Sequence, residues 1–547
     1  MTPTTPTTTT PTTTTPSATI LRADVPARTA PGARDLRVGI DVGGTNTDAV
    51  VLTADGRVVA RTKQPTSADV TTGLRSALTA VLDSLGEHAG RVGRVMLGTT
   101  HATNAILERR GLGRVAAIRL GGPATTSVPP LQSWPGDLAA ALSAGSVVLP
   151  GGHYVDGRPI SALDEDRLRA FLDTVAGQVD AVALTGVFSP AFTDHELAAA
   201  ELVRKHLGDA VQVSMSHEVG SLGLLERENA TVLNAALYQV IATVRDGLQQ
   251  TLAARDLDAA TYFAQNDGTL MTMDYAADYP VLTIGSGPSN SIRGAACLSG
   301  LDDAIVADVG GTSTDFGVLV SGFPRESAAG VEIGGVRTNF RMPDILALAV
   351  GGGTVVGPDG QVGPQSVGYR ISREAFVFGG ATATLTDAGV LAGRGTGLSA
   401  ERIPGRAHAR LRQALADAEA MLADAVDRIT LGKADRPLVV VGGGAFLIPD
   451  DLPGVSEVVR PDHGDVANAV GAAIAMVSGT VETIIPAGHG RAETIAAAEE
   501  AACHRAIQAG GAPSGVEVVE INEVPLSYLN EPALRLRVKA AGPLGDL

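Results

Sequence analysis

Short apolar runs, each ended by glycine or polar residues, recur along the chain and predict buried strands. The clearest of these runs are residues 38–40, 95–97, 181–184, 305–307 and 437–441. Between them apolar residues recur at helical spacing, over residues 70–85, 196–207, 222–255 and 407–429. Strands that alternate with helices in this way imply βαβ units. The pattern therefore predicts an α/β protein with a largely parallel sheet.

Three segments depart from this pattern. Residues 1–16 contain only Met, Thr and Pro, which cannot bury enough apolar surface to offset the entropy of ordering, so a disordered tail is predicted over residues 1–35. Residues 121–150 are broken by glycine and proline, which predicts surface loops. Residues 491–547 carry a helical pattern and two strand patterns, which predict a small C-terminal α/β unit.

One eight-residue pattern occurs twice. Asp-Val-Gly-Gly-Thr-Asn-Thr-Asp at residues 41–48 returns as Asp-Val-Gly-Gly-Thr-Ser-Thr-Asp at residues 308–315, with seven of the eight positions identical. Each copy lies between two apolar runs, which predicts a strand, a tight glycine turn and a second strand. A single copy is equally compatible with an ordinary hairpin. Two near-identical copies favour two related halves that present their turns to one ligand in the cleft between them.

The residue types in the twin turns suit a phosphate. Paired glycines allow positive φ and bring bare N–H groups close to a ligand, and the threonines add hydroxyl donors. The aspartates suit a hydrated Mg²⁺, which keeps most of its waters and takes one or two carboxylates. A nucleotide held between the two halves is the simplest ligand with both features.

Further candidate contacts lie at strand ends. Residues 98–104 combine a strand end with a hydroxyl-rich helix start, which favours an anion or a polar substrate, although a simple Thr N-cap explains the same residues. Gly442, Gly443 and Gly444 follow a buried strand and let backbone approach a flat ligand such as adenine; the alternative is a plain strand–helix turn. The Gly-x-Gly at residues 285–287 lacks the third glycine of a dinucleotide motif, and as a loop before a helix from residue 291 it faces the same cleft.

Composition narrows the class of partner. The 547 residues carry a net charge of −17, which argues against nucleic acid and anionic membrane surfaces as partners. Cys297 and Cys503 are the two cysteines, and their spacing predicts reduced thiols rather than a metal site. The chain has no apolar run of transmembrane length, and its first residues lack the blocks of a signal peptide. A cytoplasmic protein is expected.

Two Asp-x-Gly-Gly-Thr turns and a late Gly-Gly-Gly-Ala element resemble the superfamily of actin, sugar kinases and the Hsp70 ATPase. Within it the chain resembles the hydantoinase A/5-oxoprolinase family. The resemblance rests on residues 41–48, 98–105 with Arg109 and Gly111, 216–219, 231–235, 286–288 and 308–315. It implies two ribonuclease-H-like (actin-like ATPase) domains around a nucleotide cleft, expected at residues 36–220 and 221–490.

The resemblance also implies an activity. Members of the family open a cyclic amide, such as a hydantoin or 5-oxoproline, at the expense of ATP with Mg²⁺. A hydantoinase B-like partner subunit and an oligomer are expected. Alternatives on the same fold are a small-molecule kinase, the ATPase subunit of an ATP-dependent carboxylase, and a nucleotide-gated binding protein without turnover. Activator ATPases of radical dehydratases need cysteine ligands that Cys297 and Cys503 do not supply within one chain.

Site residues carry over from the family by position. Asp41 and Asp308 are the expected ligands of Mg²⁺ or its waters. Asp48 and Asp315 are expected to position water or polarise a threonine, with a structural hairpin role as the alternative. Thr100, His101 and Asn104 are the substrate-side candidates. The nucleotide contacts are expected from Gly43, Gly44, Thr45, Asn46, Gly310, Gly311, Thr312, Ser313, Gly442, Gly443 and Gly444.

Overall fold

The computed structural model describes residues 21–22, 34–43, 46–65, 70–327, 330–340, 342–395, 397–430, 436–474, 476–488, 490–526 and 532–545. Gly44 and Thr45 of the first turn, and most of the predicted tail, lie outside these residues.

The strands within the described residues run, in chain order, as β1 (Leu21–Arg22), β2 (Leu36–Val42), β3 (Asn46–Leu52), β4 (Val58–Pro65), β5 (Val92–Thr99), β6 (Val115–Gly122), β7 (Ser143–Pro150), β8 (Ala181–Gly186), β9 (Gln212–Met215), β10 (Ala260–Ala264), β11 (Leu270–Thr272), β12 (Ala304–Val309), β13 (Thr314–Val320), β14 (Phe323–Pro324), β15 (Glu332–Ile333), β16 (Val336–Arg337), β17 (Leu346–Leu348), β18 (Thr354–Val356), β19 (Val362–Ser366), β20 (Leu438–Val441), β21 (Val458–Val459), β22 (Val477–Pro486), β23 (Glu517–Leu526) and β24 (Ala533–Gly542).

The α-helices are α1 (Val70–Leu85), α2 (His101–Glu108), α3 (Gly136–Leu142), α4 (Glu165–Val175), α5 (Asp194–Leu207), α6 (Ser216–Val219), α7 (Leu224–Ala253), α8 (Met273–Asp278), α9 (Ser286–Ser299), α10 (Ile371–Glu374), α11 (Leu385–Leu391), α12 (His408–Thr430), α13 (Ala467–Ile474) and α14 (Arg491–Gln508). No helix among the described residues is both long and apolar enough to cross a lipid bilayer.

Two sheets repeat one strand order. The first contains the order β4-β3-β2-β5-β10, and the second has β14-β13-β12-β20-β21. In each sheet the central hairpin is antiparallel, β2 with β3 and β12 with β13. The next two strands are then added in parallel, β5 and β10 in the first sheet, β20 and β21 in the second. The repeated eight-residue pattern is thus the hairpin turn of two equivalent half-structures.

Helices cover the first sheet on both sides, which explains why β2 and β3 are apolar almost throughout rather than alternating. On one face β2 packs in a core with residues of α1 and α7, such as Leu74 and Ile241. On the other face Val50 packs against Val470 of α13. In the second sheet, Ile292 of α9 and Val306 of β12 share a core.

Helices α9 and α13 cross between the two sheets with their backbones in contact. A Cβ on Gly294 of α9 would lie 1.8 Å from the carbonyl oxygen of Ala467, and one on Gly471 of α13 would lie 1.8 Å from that of Asn290. Neither helix could approach so closely with any larger residue at these positions. The crossing links the two half-structures directly behind their turns.

A separate parallel sheet is inserted between β5 and β10, with the order β7-β6-β8-β9. It occupies much of the segment that was predicted to consist of surface loops. That prediction was wrong for residues 136–150, which form α3 and β7. β7 pairs with β6 in parallel, and this long-range pairing outweighs the local glycine and proline signals.

The predicted α/β class with its parallel pairings is confirmed, and the structure differs from the sequence predictions in detail. Helix α9 begins at Ser286, five residues before the predicted start, and the apolar stretch before it is a 3₁₀ turn, Pro280–Thr283. Leu21–Arg22, inside the predicted disordered tail, pair with β4. Hydrogen bonding also crosses the predicted boundaries, because β10, β11 and β22–β24 extend the first sheet.

Candidate functional site

The two glycine turns face a common cavity of about 460 Å³. Of the predicted site residues, those on its wall are Gly43, Asn46, Asp48, Asp308, Gly310, Gly311, Gly442, Gly443 and Gly444. Lys63, Gly352, Gly368, Asp465 and Asn468 add to the wall, and so do the apolar side chains of Ile371, Phe378, Leu398 and Phe446. The structure therefore brings together the three glycine elements that the sequence singled out.

The described parts of the two turns have matching geometry. The Gly43 N–H donates to the Asn46 carbonyl over 3.0 Å, and the Gly310 N–H donates to the Ser313 carbonyl over 2.9 Å. In the ladders below the turns, Asp41 lies opposite Asp48. Asp308 lies opposite Asp315 in the same way. Each turn thus carries a carboxylate on both of its strands.

A third glycine run supports the second turn. The Gly352 N–H donates to the Gly310 carbonyl over 3.0 Å, and the Gly353 N–H donates to the Gly311 carbonyl over 2.6 Å. A Cβ on Gly351 would lie 2.8 Å from the Gly310 carbonyl oxygen. Residues 351–353 therefore hold the second turn in place through backbone hydrogen bonds, and side chains at Gly351 would push it away.

Asp41 is buried behind the cavity wall and held by two amides. Asn468 Nδ2 donates to Asp41 Oδ2 over 2.9 Å, and Asn290 Nδ2 lies 3.4 Å from Asp41 Oδ1. A Cβ on Gly98 would lie 2.5 Å from Asp41 Oδ1, so the neighbouring strand must carry glycine there. Burial, followed by the charge of Asp48, raises the pKa of Asp41 to about 6, against the opposing effect of both amides.

The other three carboxylates have different surroundings. Asp48 accepts a hydrogen bond from Lys63 Nζ over 2.8 Å, while its buried Oδ1 has no partner among the described residues. Ser291 Oγ donates to Asp308 Oδ2 over 2.5 Å. Burial raises the pKa of Asp48 and of Asp308, and Lys63 opposes the shift at Asp48. Burial and then the Asp308 charge raise the pKa of Asp315 to about 6.

The late glycine element is tied to the second turn. The Gly444 N–H donates to the Val309 carbonyl over 2.8 Å. Gly442 has a φ of +88°, and a Cβ there would lie 2.4 Å from Asp308 Oδ1. Gly443 has no atom within 4 Å of its Cβ position and so faces open space. Phe378 and Phe446 line the same cavity, and their apolar side chains suit a flat ring such as adenine.

The site fits a nucleotide with Mg²⁺. Glycine backbone from two turns can approach phosphates without steric hindrance. Asp48 and Asp308 line the cavity. The buried Oδ1 of Asp48 has no hydrogen-bond partner among the described residues, and a metal-bound water can donate a hydrogen bond to it. The raised pKa values of Asp41 and Asp315 also fit, since burial and then a neighbouring carboxylate favour the protonated form, and a bound cation would favour the charged form instead.

Some predicted residues lie off the cavity. In the described part of the chain, Asp41 and Asp315 stand behind the wall, and Thr312 and Ser313 do not line it. Thr100 lies directly before α2, at its N-cap position. Its hydroxyl donates to the Val42 carbonyl over 3.2 Å instead of capping the helix. Asn104 Nδ2 lies 3.4 Å from Thr100 Oγ1. Thr100 and Asn104 therefore sit beneath the first turn, with His101 next to them in α2.

Sequence reasoning missed three polar groups of the site. Asn468 lies in α13, far along the chain from Asp41, and nothing in its local pattern marks it. Lys63 is paired to Asp48 by strand register, which could have been deduced from the hairpin. Asn290 sits four residues after the start of α9, just beyond the 286–288 segment on which the family resemblance drew.

Two family models match the chain. The hydantoinase/oxoprolinase N-terminal region matches residues 37–207. The hydantoinase/oxoprolinase model matches residues 227–397. Together they include both glycine turns and three of the four strands of the inserted parallel sheet, β6, β7 and β8.

Curated relatives agree with these matches. The alpha subunit of caprolactamase from Pseudomonas jessenii is 29% identical over 390 residues, which cover 65% of this chain and 54% of the relative. The acetophenone carboxylase gamma subunit from Aromatoleum aromaticum is 28% identical over 405 residues, covering 65% of this chain and 53% of the relative. The chain thus spans about half the length of the curated relatives it matches.

Solved structures share the fold. The ATP-dependent caprolactamase from Pseudomonas jessenii superposes with a TM-score of 0.74 at 21% identity, over 93% of this chain and 89% of that one. Nucleotide-free acetone carboxylase superposes with a TM-score of 0.64 at 16% identity, over 93% and 88% of the two chains. The chain belongs to the hydantoinase/oxoprolinase family and has its fold of two actin-like ATPase domains.

Proposed function

We propose that this chain binds ATP between its two glycine turns and uses it to open the ring of a cyclic amide, such as a hydantoin, 5-oxoproline or a related lactam. The observation that supports this most strongly is the cavity of about 460 Å³ walled by both turns and the late glycine element. The similarity to a caprolactamase subunit supports the substrate class.

In this proposal the turns hold the phosphates. Backbone N–H groups near Gly43, Gly310 and Gly311 would donate to phosphate oxygens, and Gly44, Thr45, Thr312 and Ser313 complete the two turns. Gly442–Gly444 and the facing apolar side chains would hold the nucleoside. Asn46 and Lys63 also line the cavity. Lys63, which forms an ion pair with Asp48, can neutralise phosphate charge.

The proposed reaction has three steps. The amide oxygen attacks the γ-phosphorus, and the bond from that phosphorus to the bridging oxygen of ADP breaks. Water then attacks the activated amide carbon and the ring C–N bond breaks, which leaves a free amine and an acyl phosphate. A second water hydrolyses the acyl phosphate to carboxylate and phosphate, so that one ATP and two waters are consumed for each ring opened. Asp48 and Asp315, with pKa values raised by burial, are the groups available to accept a proton from water or a hydroxyl.

Mg²⁺ would be held by Asp308 at the cavity surface and by Asp41 behind it, directly or through waters, and would neutralise phosphate charge. Asn468 and Asn290 would keep the Asp41 carboxylate in one orientation. Thr100, His101 and Asn104, close to the first turn, are the proposed contacts to the amide ring.

The relatives are subunits, and this chain spans about half their length. We therefore propose that a hydantoinase B-like partner completes the enzyme in an oligomer. Use of ATP favours the cytoplasm as its compartment.

A second candidate is the ATPase subunit of an ATP-dependent carboxylase, favoured by the similar identity, 28%, to an acetophenone carboxylase subunit. Bicarbonate distinguishes the two reactions, because a carboxylase releases phosphate only when bicarbonate is present. A kinase on this fold would instead accumulate a phosphorylated product.

The test is phosphate release from the purified protein with Mg²⁺ and ATP across hydantoins, 5-oxoproline and larger lactams, and with acetophenone as a ketone, each with and without bicarbonate. Product analysis in the same samples measures ring opening. Cyclic-amide-stimulated release with an equal amount of open-chain product supports the proposal. Bicarbonate-dependent release with a carboxylated ketone would overturn it in favour of the carboxylase. Asp308→Ala should abolish the signal, and Asp359→Ala, at an exposed aspartate, should leave it intact.

A further inference from the structure

A second cavity, of about 140 Å³, lies away from the nucleotide site, and the two share no lining residue among those described. Its wall is formed by residues 218–221 after the inserted sheet, residues 265–267 after β10, Tyr275 and Leu282, then Glu326, Asn339 and Phe340, and the C-terminal strands with α14. It is mostly polar and closed by the C-terminal unit, which neither family model covers.

Most charges on this wall are already paired. Lys539 Nζ lies 2.8 Å from Asp267 Oδ2, and Arg537 Nη2 lies 2.7 Å from Glu326 Oε2. Lys539 and the hydroxyl donors of its neighbours hold the pKa of Asp267 well below its usual range, in spite of burial. Asp267, Glu326 and Arg537 therefore already have charged partners, and their charges are not available to a ligand.

Glu218 and Arg505 differ from these pairs. Among the described residues neither forms an ion pair, with each other or with a third group. Arg505 donates only to carbonyl oxygens, to Thr480 over 2.7 Å and to His217 over 3.4 Å. Both side chains line the same cavity, and Glu218 follows directly after His217, whose carbonyl accepts from Arg505. Burial raises the pKa of Glu218, and His217 and Arg505 oppose the shift.

The remaining groups on the wall suit a short chain between two charges. Asn339 lines the cavity, and its buried Oδ1 has no hydrogen-bond partner among the described residues. Leu282 and Phe340 add apolar surface to the wall. An unpartnered buried amide oxygen is costly unless a ligand or water satisfies it.

We propose that this cavity binds the zwitterion of a small amino acid, with the ammonium group at Glu218 and the carboxylate at Arg505. Its methylene groups lie on Leu282 and Phe340, and Asn339 Oδ1 accepts a hydrogen bond from the ammonium group. Opening a lactam ring yields such a zwitterion, so the cavity is suited to the ring-opened product. That identification rests on the proposed function, whereas the binding of a zwitterion does not.

Equilibrium dialysis of the full chain with ε-aminocaproate and δ-aminovalerate tests the proposal. Hexanoate lacks the ammonium group and hexylamine lacks the carboxylate, and each is expected to bind at least tenfold more weakly. Glu218→Gln and Arg505→Gln are each expected to weaken zwitterion binding at least tenfold. Glu500→Gln and Arg75→Gln, at exposed positions, are the matched controls and should bind as the original chain does.

Two results would overturn the proposal: neither zwitterion binds the original chain, or binding survives both substitutions. Circular dichroism and thermal unfolding of the same variants verify that they are folded, independently of nucleotide binding. The two proposals fail separately. A chain that opens lactams but binds no zwitterion disproves the second cavity alone, and one that binds the zwitterion but never releases phosphate disproves the proposed reaction alone.

Discussion

Asn468 donates from Nδ2 to Oδ2 of Asp41 over 2.9 Å, across the boundary between the two half-structures. Asn468 belongs to α13, which follows the second sheet, and Asp41 lies one residue before the end of β2 in the first sheet. On the other oxygen stands Asn290 of α9. The carboxylate of the first turn is thus oriented by the two crossing helices that join the halves, so its position depends on how those helices pack.

Removing the Asn468 amide should lower ATP turnover more than it lowers stability. A hydrogen bond to a charged group contributes about 1.5–3 kcal/mol, and Asn468→Ala leaves Asp41 with the longer contact to Asn290. We expect phosphate release to fall about tenfold or more, the equivalent of about 1.4 kcal/mol. Asn522→Ala, at an exposed position of β23, is the control for stability and activity. Equal activity in both variants would show that the amide does not position Asp41.

Asp41 should make the unfolding free energy depend on pH when Mg²⁺ is absent. Burial raises the pKa of its carboxyl to about 6 from 3.8. The folded state therefore binds the proton more tightly than the unfolded chain, and stability should fall as pH rises from about 4 to about 6, then level off. At about 1.4 kcal/mol per pH unit, Asp41 contributes at most about 3 kcal/mol.

Urea unfolding of the original chain and of Asp41→Asn across this pH range measures that contribution. Because asparagine does not titrate, the difference between the two curves isolates Asp41 from the other carboxyls. A difference that shrinks steadily as pH falls through the window is the expected outcome. Parallel curves would mean that the folded and unfolded chains share the same pKa at this residue.

The crossing of α9 and α13 should not tolerate a side chain. A Cβ on Gly471 would lie 1.8 Å from the Asn290 carbonyl oxygen, so Gly471→Ala forces backbone apart. Overpacking of this kind costs about 1–3 kcal/mol and more where backbone must move, and here it also displaces Asn290. Thermal unfolding should show the loss, and Mg²⁺-ATP should stabilise the variant less. Gly136→Ala, with open space around its Cβ position, should unfold like the original chain.

Gly443 offers the reverse case, a substitution that fills the ligand cavity without straining the fold. No atom lies within 4 Å of its Cβ position, and the residue lines the nucleotide cavity. Gly443→Leu should weaken ATP binding at least about tenfold, about 1.4 kcal/mol, with the same unfolding midpoint. Gly136→Leu controls for the substitution itself. Retained ATP affinity in Gly443→Leu would place the nucleoside elsewhere.

The sequence predicted the parts of the site that are built locally. Each glycine turn is specified by consecutive residues, so its two copies could be recognised and its aspartates paired by register. The inserted sheet was predicted only in part, because the apolar run of β8 was clear while β7 takes its strand form from pairing with β6. Local glycine and proline signals misled the prediction there.

Contacts between residues that lie far apart in the chain could not be predicted from the sequence. Asn468 and Asp41 are separated by 427 positions and meet only because α13 packs back on the first sheet. The apolar wall around Phe378 and Phe446 likewise joins loops whose arrangement no local pattern reveals. Residues 351–353 show as a glycine run, but their role beneath the second turn depends on hydrogen bonds to Gly310 and Gly311.

The most direct test of the nucleotide site is a calorimetric titration of ATP into the full chain in the presence of Mg²⁺. Saturable binding of one nucleotide per chain is expected. Asp308→Ala should weaken it at least about tenfold, about 1.4 kcal/mol, and Asp359→Ala, at an exposed position, should leave it unchanged. The absence of ATP binding to the folded, unsubstituted chain, or binding that is the same in Asp308→Ala, would contradict the assignment of the twin turns as the nucleotide site.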